Sequence, residues 1–504
     1  MPGGAHQGTG SKARHDAGMT TDTDRRGPSG RTFFGQPFEL STLFGVELWE
    51  RFSFYGMQGI LLIYLYYTAA QGGLGVPQSV AAGVVGAYGG SVYLATILGA
   101  WIADRLLGAE RTLFISAVVV MLGHIALALL PGIAGVAVGL ILIALGSGGL
   151  KATATTIVGT LYGRDDPRRD AGFSLYYLGV NLGAFFGPLL TGLLQSSLGF
   201  HFGFGLAAIG MAAGLVQYAI RRKRLPETAH EVPNPLPAGR LPLVGGLAVV
   251  GVVVIVGAVL IGAITPQNLP TVVIAVTLVA AIGYFAVILS SRLAPDERSR
   301  VVAFIPLFLA STVFWSLYQQ QFTVVTIYTD ERLDRSLFGW QMPVSWSQSI
   351  NPIMIILLSG VFAGLWTRLG ERQPTTPVKF ALGTGIMGLA FLLFLPFSGT
   401  GRNGTPLLAL VAILLVFTVA ELLLSPIGQS VTTKLAPERF RTQMVALFFL
   451  SVALGTSVSG LLATFYDPRN EVPYFLVLGL VAVVAGLLLL AVARPVLRLM
   501  RGVR

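Results

Sequence analysis

The chain contains no cysteine and few charged residues, and both absences narrow its class. Without cysteine, neither a disulfide framework nor a thiolate metal site is possible. The five histidines are scattered without ligand spacing, which argues against a structural zinc site. Charged residues make up 11% of the 504 residues, whereas a soluble protein carries about a quarter. With 54% hydrophobic residues, the composition indicates a polytopic membrane protein.

Apolar runs recur along the whole chain, and each is long enough to cross a bilayer as a helix, which takes about 20 residues. The runs are continuous rather than alternating, which argues against membrane strands. We therefore predict an all-α polytopic fold with fourteen spans, at residues 41–70, 78–103, 112–131, 134–161, 171–195, 202–220, 242–264, 270–291, 301–323, 343–366, 378–397, 405–430, 442–465 and 473–493.

The basic residues of the connecting loops predict the orientation. Even-numbered connections are basic, as at Arg105, Arg111 and residues 221–224, whereas odd-numbered ones such as residues 68–77 have no basic residue. One exception, residues 329–335, balances two arginines against three acids. The positive-inside rule then predicts that both termini are cytoplasmic. It also explains the net charge of +11 without a nucleic-acid partner.

The spans fall into an arrangement of six, two and six. We expect a disordered cytoplasmic tail over residues 1–40, without a cleavable signal peptide, because this part is rich in small and polar residues. One six-helix bundle is predicted over residues 41–220 and another over residues 301–493, with a cytoplasmic tail over residues 494–504. Basic linkers and two additional helices occupy residues 221–300, and these two spans lack ionisable residues, which predicts that they face lipid.

The stretch ELWERFSFYG at residues 47–56 places charges inside the first span. On a helix, Glu47, Glu50, Arg51 and Tyr55 fall on one side by their i, i+3 and i+4 spacing. A charge at the centre of a membrane helix costs at least about 2.5–3.5 kcal/mol, so such groups persist where they are paired or functional. The alternative is a snorkelling cluster at the membrane boundary, or an ion pair that only stabilises the bundle. We favour a functional site, because three ionisable groups and a tyrosine share one face.

Two further ionisable residues stand alone within apolar spans. Lys151 follows the small-residue run GSGGL and precedes the hydroxyl-rich residues 153–156, which favours a function over a lysine that snorkels from a helix end. Glu421, in VFTVAELLLSPI, must be paired, protonated or facing water, and Ser425 lies on the same face. The alternative for Glu421 is a purely structural ion pair.

Several uncharged polar residues also lie in the spans. Asn181 and Asn351 have two possible roles, since an asparagine in a membrane often only joins two helices by hydrogen bonds. Trp315 and Gln319 end the predicted ninth span, where the glutamines 319–321 could be no more than an interfacial cap.

Asp104 and Arg105 close the second span with a short basic turn. This pattern favours a cytoplasmic hinge between helices rather than a ligand site. No nucleophile–base pair and no metal-ligand set emerges elsewhere, so we expect no catalytic residue, no metal and no cofactor, and hence no enzyme.

Together these stretches resemble the proton-dependent oligopeptide transporter (POT/PTR) family of the major facilitator superfamily, in its bacterial form. ELWER at residues 47–51 looks like the family's ExxER motif, and residues 99–108 and 173–185 look like its two signatures. INP at residues 350–352 and ELLLSPIG at residues 421–428 resemble its eighth- and tenth-helix motifs. The resemblance covers nearly the whole chain and implies the major facilitator fold, with two six-helix bundles plus two inserted transmembrane helices.

The resemblance also implies a function, a proton-coupled symporter that imports di- and tripeptides by alternating access, as a monomer in the inner (cytoplasmic) membrane. Arg51, Lys151 and Tyr55 would hold the peptide carboxylate, which suits their chemistry. Glu421, Asn181 and Asn351 would receive the amino group. The complete set of expected peptide-binding residues is Arg51, Tyr55, Tyr93, Lys151, Asn181, Trp315, Gln319, Asn351, Glu421 and Ser425.

Proton coupling would fall to Glu47, Glu50, Arg51 and Lys151, because a carboxylate that moves between a buried and a cation-paired environment can load and release a proton. The chain departs from the family pattern at Gln319, where many members have an acid, and this removes one candidate proton acceptor. Other functions stay open. The same fold can export or exchange a drug or an organic anion, and a membrane sensor that no longer transports is a third possibility.

Overall fold

The computed structural model describes residues 31–163 and 166–503, and this part of the chain is almost entirely helical. It contains fourteen helices of 17–30 residues, which we label α1 to α14 in chain order. Their bounds are Leu40–Tyr66, Gln78–Ile102, Ala109–Leu129, Gly132–Thr160, Arg169–Leu198, Phe200–Arg221, Leu241–Leu260, Leu269–Ser290, Pro295–Tyr318, Ile350–Leu369, Thr376–Leu392, Leu407–Leu435, Arg441–Ala463 and Val472–Ala491.

Thirteen of these helices are long and apolar enough to cross a membrane, and α1 is the exception. At 27 residues α1 is about 40 Å long, so its length suffices to cross as well. What sets it apart is composition, because it carries Glu47, Glu50 and Arg51 in the middle of its sequence. The prediction of an all-α polytopic fold with fourteen spans is confirmed.

The ninth span is longer than its apolar run predicts. Helix α9 begins at Pro295 with two acids in its first turn, where a helix dipole favours negative charge. A 3-10 turn at Gln319–Phe322 follows, and a further helix at Val324–Glu331 continues the span. A hydropathy reading misses the charged first turn and stops at the glutamines, so the expected interval of residues 301–323 is too short at both ends.

The predicted disordered tail over residues 1–40 is too long at its carboxyl end. Thr32–Phe33 pairs with Gln36–Pro37 in a small antiparallel hairpin just before α1. Gly35 closes the turn with a φ of 77°, a conformation that glycine adopts without strain. The hairpin is anchored to the bundle, because Tyr162 donates a hydrogen bond of 3.1 Å to Gln36. Residues 1–30 lie outside the described part of the chain.

Each predicted bundle is held by its own helix pairs. In the first, α1 packs against α5 and α6, and α4 packs against α2 and α3; in the second, α11 packs against α12 and α14, and α9 packs against α13. The two groups meet where α2 crosses α13. At this crossing a side chain on Gly86 would clash with the backbone of Gly460, its Cβ lying 2.2 Å from the Cα atom. Small residues therefore allow the two helices to touch backbone to backbone.

The two inserted helices differ from one another. Helix α8 packs against α2 and α13, whereas α7 has no buried residue along its 20 positions. The linker before α7 crosses the turn between α2 and α3, where the backbone N–H groups of Asn234 and Leu236 donate to the carbonyls of Asp104 and Arg105. The predicted hinge residues thus lie under the linker, in a π-helical turn at Ala103–Leu107.

Candidate functional site

The charged motif of α1 forms a buried ionic cluster. Glu47, Glu50 and Arg51 are 5%, 0% and 3% exposed. The Arg51 Nε atom lies 2.9 Å from Glu47 Oε1 and 2.6 Å from Glu50 Oε2. One guanidinium therefore faces two carboxylates, and the cluster carries one net negative charge if both acids are ionised. The predicted stripe of charges on one face of the helix is present as a set of direct contacts.

Neighbouring helices supply hydrogen bonds to both acids. Tyr176 on α5 donates to Glu47 Oε2 at 2.7 Å, and Ser147 on α4 donates to Glu50 Oε1 at 3.2 Å. A buried carboxylate needs such donors, because leaving it unsatisfied costs free energy. Sequence reasoning missed Tyr176 and Ser147 as parts of the site. Both lie inside stretches singled out above, but nothing in their local sequence shows which way the side chains point.

Lys151 on α4 approaches the same cluster without contacting a carboxylate. Its Nζ atom lies 5.0 Å from the ring centre of Phe54 and 5.6 Å from that of Tyr93. The Arg51 guanidinium lies 5.6 Å from the centre of the Phe54 ring as well. Among the described residues, no acid lies within 4 Å of Lys151. The two cations share one aromatic ring, an arrangement in which the ring face partly compensates their charge.

A second polar cluster belongs to the other bundle. Asn351, at the start of α10, donates to Glu421 Oε2 on α12 at 3.2 Å and to the Thr418 hydroxyl at 3.1 Å. Tyr318, at the end of α9, donates to Asn351 Oδ1 at 3.1 Å. Glu421 is 8% exposed, and within the described part of the chain it has no cationic partner within 4 Å. The alternative of a structural ion pair for Glu421 is therefore wrong.

The glutamines after α9 are buried rather than interfacial. Gln319 is 7% exposed and donates to the Thr456 hydroxyl on α13 at 3.1 Å. The interfacial cap considered for residues 319–321 is therefore wrong, because the span continues beyond them. Trp315 lies one turn earlier, is 7% exposed, and packs edge-on against Tyr318.

Tyr55 on α1 contacts the other bundle near these glutamines. Its ring stacks on Phe322, with ring centres 6.0 Å apart and planes at 26°. It also meets Phe54 edge-on at 5.3 Å, so it lies between the ionic cluster of α1 and the turn after α9.

The remaining expected residues, Asn181, Ser425, Asp104 and Arg105, lie outside the two clusters. The Asn181 amide donates to the carbonyl of Tyr177 on its own helix at 3.0 Å. Ser425 and Tyr177 both line the cavity described in the next paragraph. Asp104 and Arg105 are in the turn under the linker, away from the two clusters, and their role as a hinge stays a prediction. The described residues contain no group of three His, Asp or Glu side chains that could hold a metal ion.

A cavity of about 1180 Å³ opens on one side of the protein. We call this side the terminal face, since α1 and α9 begin there and α14 ends there. The cavity lies between α5 of the first bundle and α10, α11 and α12 of the second. Its inner end reaches Leu422 and Ser425, one and four residues beyond Glu421.

The opposite face is closed by contacts between the bundles. Tyr66 and Tyr67, at the end of α1, donate to the two oxygens of Asp330 at 2.7 and 2.8 Å. Gln78 at the start of α2 donates to Glu331 at 2.8 Å. A second seam joins α5 to the turn before α10, where Trp346 Nε1 donates to the carbonyl of Leu189 at 3.0 Å. The protein is thus open on the terminal face and closed on the other.

Known proteins resemble this chain in both sequence and architecture. A family model described as the POT family matches residues 110–477. A di-/tripeptide transporter from Lactococcus lactis subsp. cremoris is 41% identical over 489 residues, covering 94% of this chain and 98% of that protein. A crystal structure of a peptide transporter POT in complex with sulfate is 43% identical, with a TM-score of 0.90, covering 94% and 97% of the two chains.

Another relative of known structure carries a different bound molecule. The crystal structure of a POT family transporter in complex with 5-aminolevulinic acid is 36% identical, with a TM-score of 0.87, and covers 92% of this chain and 98% of that one. The matches span nearly the full length of each protein, so they bear on the complete architecture rather than on a shared fragment. Sequence, fold and motif order agree, and the chain belongs to the POT family of transporters.

Proposed function

We propose that the protein is a proton-coupled symporter that imports di- and tripeptides. The observation that carries the proposal is the placement of opposite chemistries on the two bundles. The first presents Arg51 and Lys151, and the second presents Glu421 with Asn351. A short peptide is a zwitterion, so its carboxylate suits the cationic side and its amino group suits the acidic side.

The two ends of the peptide have distinct partners in this proposal. Arg51 offers a guanidinium for two-point contact, Lys151 offers an ammonium without a carboxylate partner, and Tyr55 offers a hydroxyl. Glu421 and Asn351 accept the amino group, and Asn181 joins them once its amide leaves the Tyr177 carbonyl. Tyr93, Trp315 and Ser425 line the space for the peptide side chains, and Gln319 keeps its bond to Thr456.

Proton coupling is assigned to the cluster on α1. While both acids are ionised, Glu47 and Glu50 hold the Arg51 guanidinium between them. A proton on either acid weakens its hold on Arg51, which releases the guanidinium toward the peptide carboxylate. Lys151 restores the balance by approaching the acid that stays ionised. Many members of the family have an acid where this chain has Gln319. Without that acid, proton binding falls more heavily on the two carboxylates of α1.

The direction of transport follows from the orientation of the chain. If the protein lies in a bacterial inner membrane with both termini on the cytoplasmic side, the open terminal face is the cytoplasmic one, and the structure is an inward-open state. The bundles at residues 41–220 and 301–493 would rock about the site, so that opening the opposite face closes the terminal one. A single chain supplies all of the proposed residues, so a monomer suffices.

The test is uptake of a labelled dipeptide into proteoliposomes under an inward proton gradient. Wild-type protein should accumulate the dipeptide, whereas Lys151→Ala and Glu47→Gln should abolish accumulation and retain some counterflow. Lys223→Gln is a matched control, since Lys223 lies in the turn after α6. Absence of gradient-driven accumulation across a panel of dipeptides would refute the proposal. Unchanged accumulation in either site variant would refute the proton route.

A second candidate substrate is a small amino acid with a spaced amine and carboxylate. A solved relative is bound to 5-aminolevulinic acid, which has these two groups on a short chain. The same site would bind dipeptides and such amino acids, so a competition experiment between the two kinds of substrate distinguishes these proposals. If 5-aminolevulinic acid is accumulated and no dipeptide competes with it, the peptide assignment is wrong. A drug or organic-anion exchanger is distinguished by exchange without proton-driven accumulation, and a sensor by binding without either.

A further inference from the structure

Lys379, in the first turn of α11, is a buried cation whose charge is not paired. Only 8% of the residue is exposed. Its Nζ atom donates one hydrogen bond to Gln373 Oε1 at 2.8 Å and lies 4.2 Å from the ring centre of Trp366. Within residues 31–163 and 166–503, no carboxylate lies within 4 Å of this ammonium. An ammonium has three donors, so two remain available for a ligand.

This lysine lines the outer part, or mouth, of the cavity on the terminal face, and the inner end of that cavity reaches Leu422 and Ser425, one and four residues beyond Glu421. Lys434, near the end of α12, lines the same mouth, and the charged lining otherwise contains one acid, Glu371. The lining therefore has an excess of one positive charge. None of the three is in an ion pair with another described residue.

The start of α11 adds to the positive character of the mouth. Thr375 and Thr376 line the cavity, and no side chain caps this end of the 17-residue helix. Pro377 has no N–H, so the N–H groups of Thr376 and Val378 in this first turn are the ones that favour an anion. The Lys379 ammonium and the N-terminus of α11 thus both favour an anion in the same cavity.

We propose that Lys379 and Lys434 form a second carboxylate site in the mouth of the cavity, which receives the peptide after it leaves the central site. This inference rests on the proposed peptide transport. Along α12, Lys434 lies 13 residues beyond Glu421, which corresponds to about 20 Å. A fully extended tripeptide spans at most about 11 Å. The rise between the two backbone positions exceeds the length of one peptide, and we therefore treat the mouth as a separate stop on the route to the cytoplasm.

A separate stop has a directional consequence. A peptide that enters from the terminal face meets the Lys379 site first, whereas a peptide that enters from the opposite face meets the central site first. Removing the mouth site should weaken capture only from the terminal face. This asymmetry distinguishes a carboxylate site from a lysine that merely stabilises α11, since a folding defect lowers transport in both directions.

The variants are Lys379→Gln and Lys434→Gln, with Lys223→Gln as the matched control. Transport of labelled dialanine is measured in right-side-out and inside-out membrane vesicles. For Lys379→Gln we expect the KM from the terminal face to rise about tenfold, as for loss of one charge-assisted hydrogen bond. The KM from the opposite face should stay unchanged. Equal terminal-face KM values for Lys379→Gln and Lys223→Gln would overturn the inference.

A second measurement keeps the inference testable if the wild-type protein moves no dipeptide. Because Lys379 lies on Trp366, an anion at this lysine should change the emission of that tryptophan, and Trp366→Phe should remove the change. Purified protein is titrated with acetate, with dialanine and with inorganic phosphate. No response to either carboxylate would overturn the inference. A response to phosphate alone, reproduced by vesicles containing phosphatidylglycerol, would assign the lysines to a lipid headgroup instead.

Discussion

The Tyr176 hydroxyl donates a 2.7 Å hydrogen bond to Glu47 Oε2, which fixes the first acid of the α1 motif from a neighbouring helix. Arg51 holds the other oxygen of the same carboxylate at 2.9 Å. Glu47 is therefore bound on both sides. A change at Tyr176 alters this acid without altering any charge, so it offers a clean test of the proton route.

We expect Tyr176→Phe to impair coupling more than binding. The substitution leaves a buried carboxylate oxygen without its donor, which costs about 1–3 kcal/mol. Gradient-driven uptake of dipeptide should fall about tenfold while counterflow is retained. Tyr284→Phe on α8 is the control for the same change within a span. Equal loss of uptake and counterflow would show that Tyr176 serves the fold rather than the proton.

Glu421→Gln should separate recognition of the peptide amino group from recognition of its carboxylate. Glutamine can still accept the hydrogen bond from Asn351, so the local structure is preserved. The KM for a dipeptide should rise at least tenfold, because an ammonium loses its anionic partner. Binding of an N-acetylated dipeptide should change little. Glu438→Gln, in the turn after α12, is the control, and an unchanged dipeptide KM would remove Glu421 from the site.

Neighbouring glutamines should respond in opposite ways to replacement by glutamate. Gln319 donates to the Thr456 hydroxyl, which itself donates to the carbonyl of Val452 and can turn to donate to a carboxylate instead. Gln319→Glu should therefore fold and add a titrating group, which should raise the proton-to-peptide ratio determined from reversal potentials. An unchanged ratio would contradict a coupling role for this position.

Gln320→Glu should instead reduce stability. The Gln320 amide donates to the carbonyls of Ser316 and Ser459, and a carboxylate cannot donate to either. We expect a lower thermal unfolding midpoint than for Gln319→Glu in detergent. Comparable midpoints for the two variants would show that these carbonyl contacts contribute little.

Asp330→Asn should loosen the closed face. Asp330 accepts hydrogen bonds from Tyr66 and Tyr67 on the other bundle, and its charge strengthens both. Loss of that charge should shift the population toward a state that is open on this face. The chain has no native cysteine, so labelling of a single Gln348→Cys reporter, a position that is 4% exposed, should accelerate several-fold. Asp334→Asn, in the same loop, should leave the labelling rate unchanged.

The sequence predicted the spans well because a membrane helix leaves a strong compositional signal. The predicted interval of residues 78–103, for example, differs from α2 by one residue at its end. Polar turns leave no such signal, which is why the charged start of α9 and the hairpin before α1 were missed. The domain limits and the roles of the site residues stay predictions.

The site was predictable in its residues but not in its contacts. The charged residues of α1 could be placed on one face by spacing alone, and they do contact one another. By contrast, the separation of Lys151 from any carboxylate depends on how α4 is rotated against α1. No periodicity within α4 fixes that rotation. Long-range partners such as Tyr176 depend on the packing of whole helices in the same way.

Helix α7 has a consequence for how the protein responds to its membrane. Its 20 residues give a length of about 30 Å, which matches the thickness of a typical hydrocarbon layer. Because no residue of this helix is buried, its tilt is governed by the surrounding lipid. A thicker or thinner bilayer can therefore be accommodated by tilting one peripheral helix, while the bundles that carry the site keep their register.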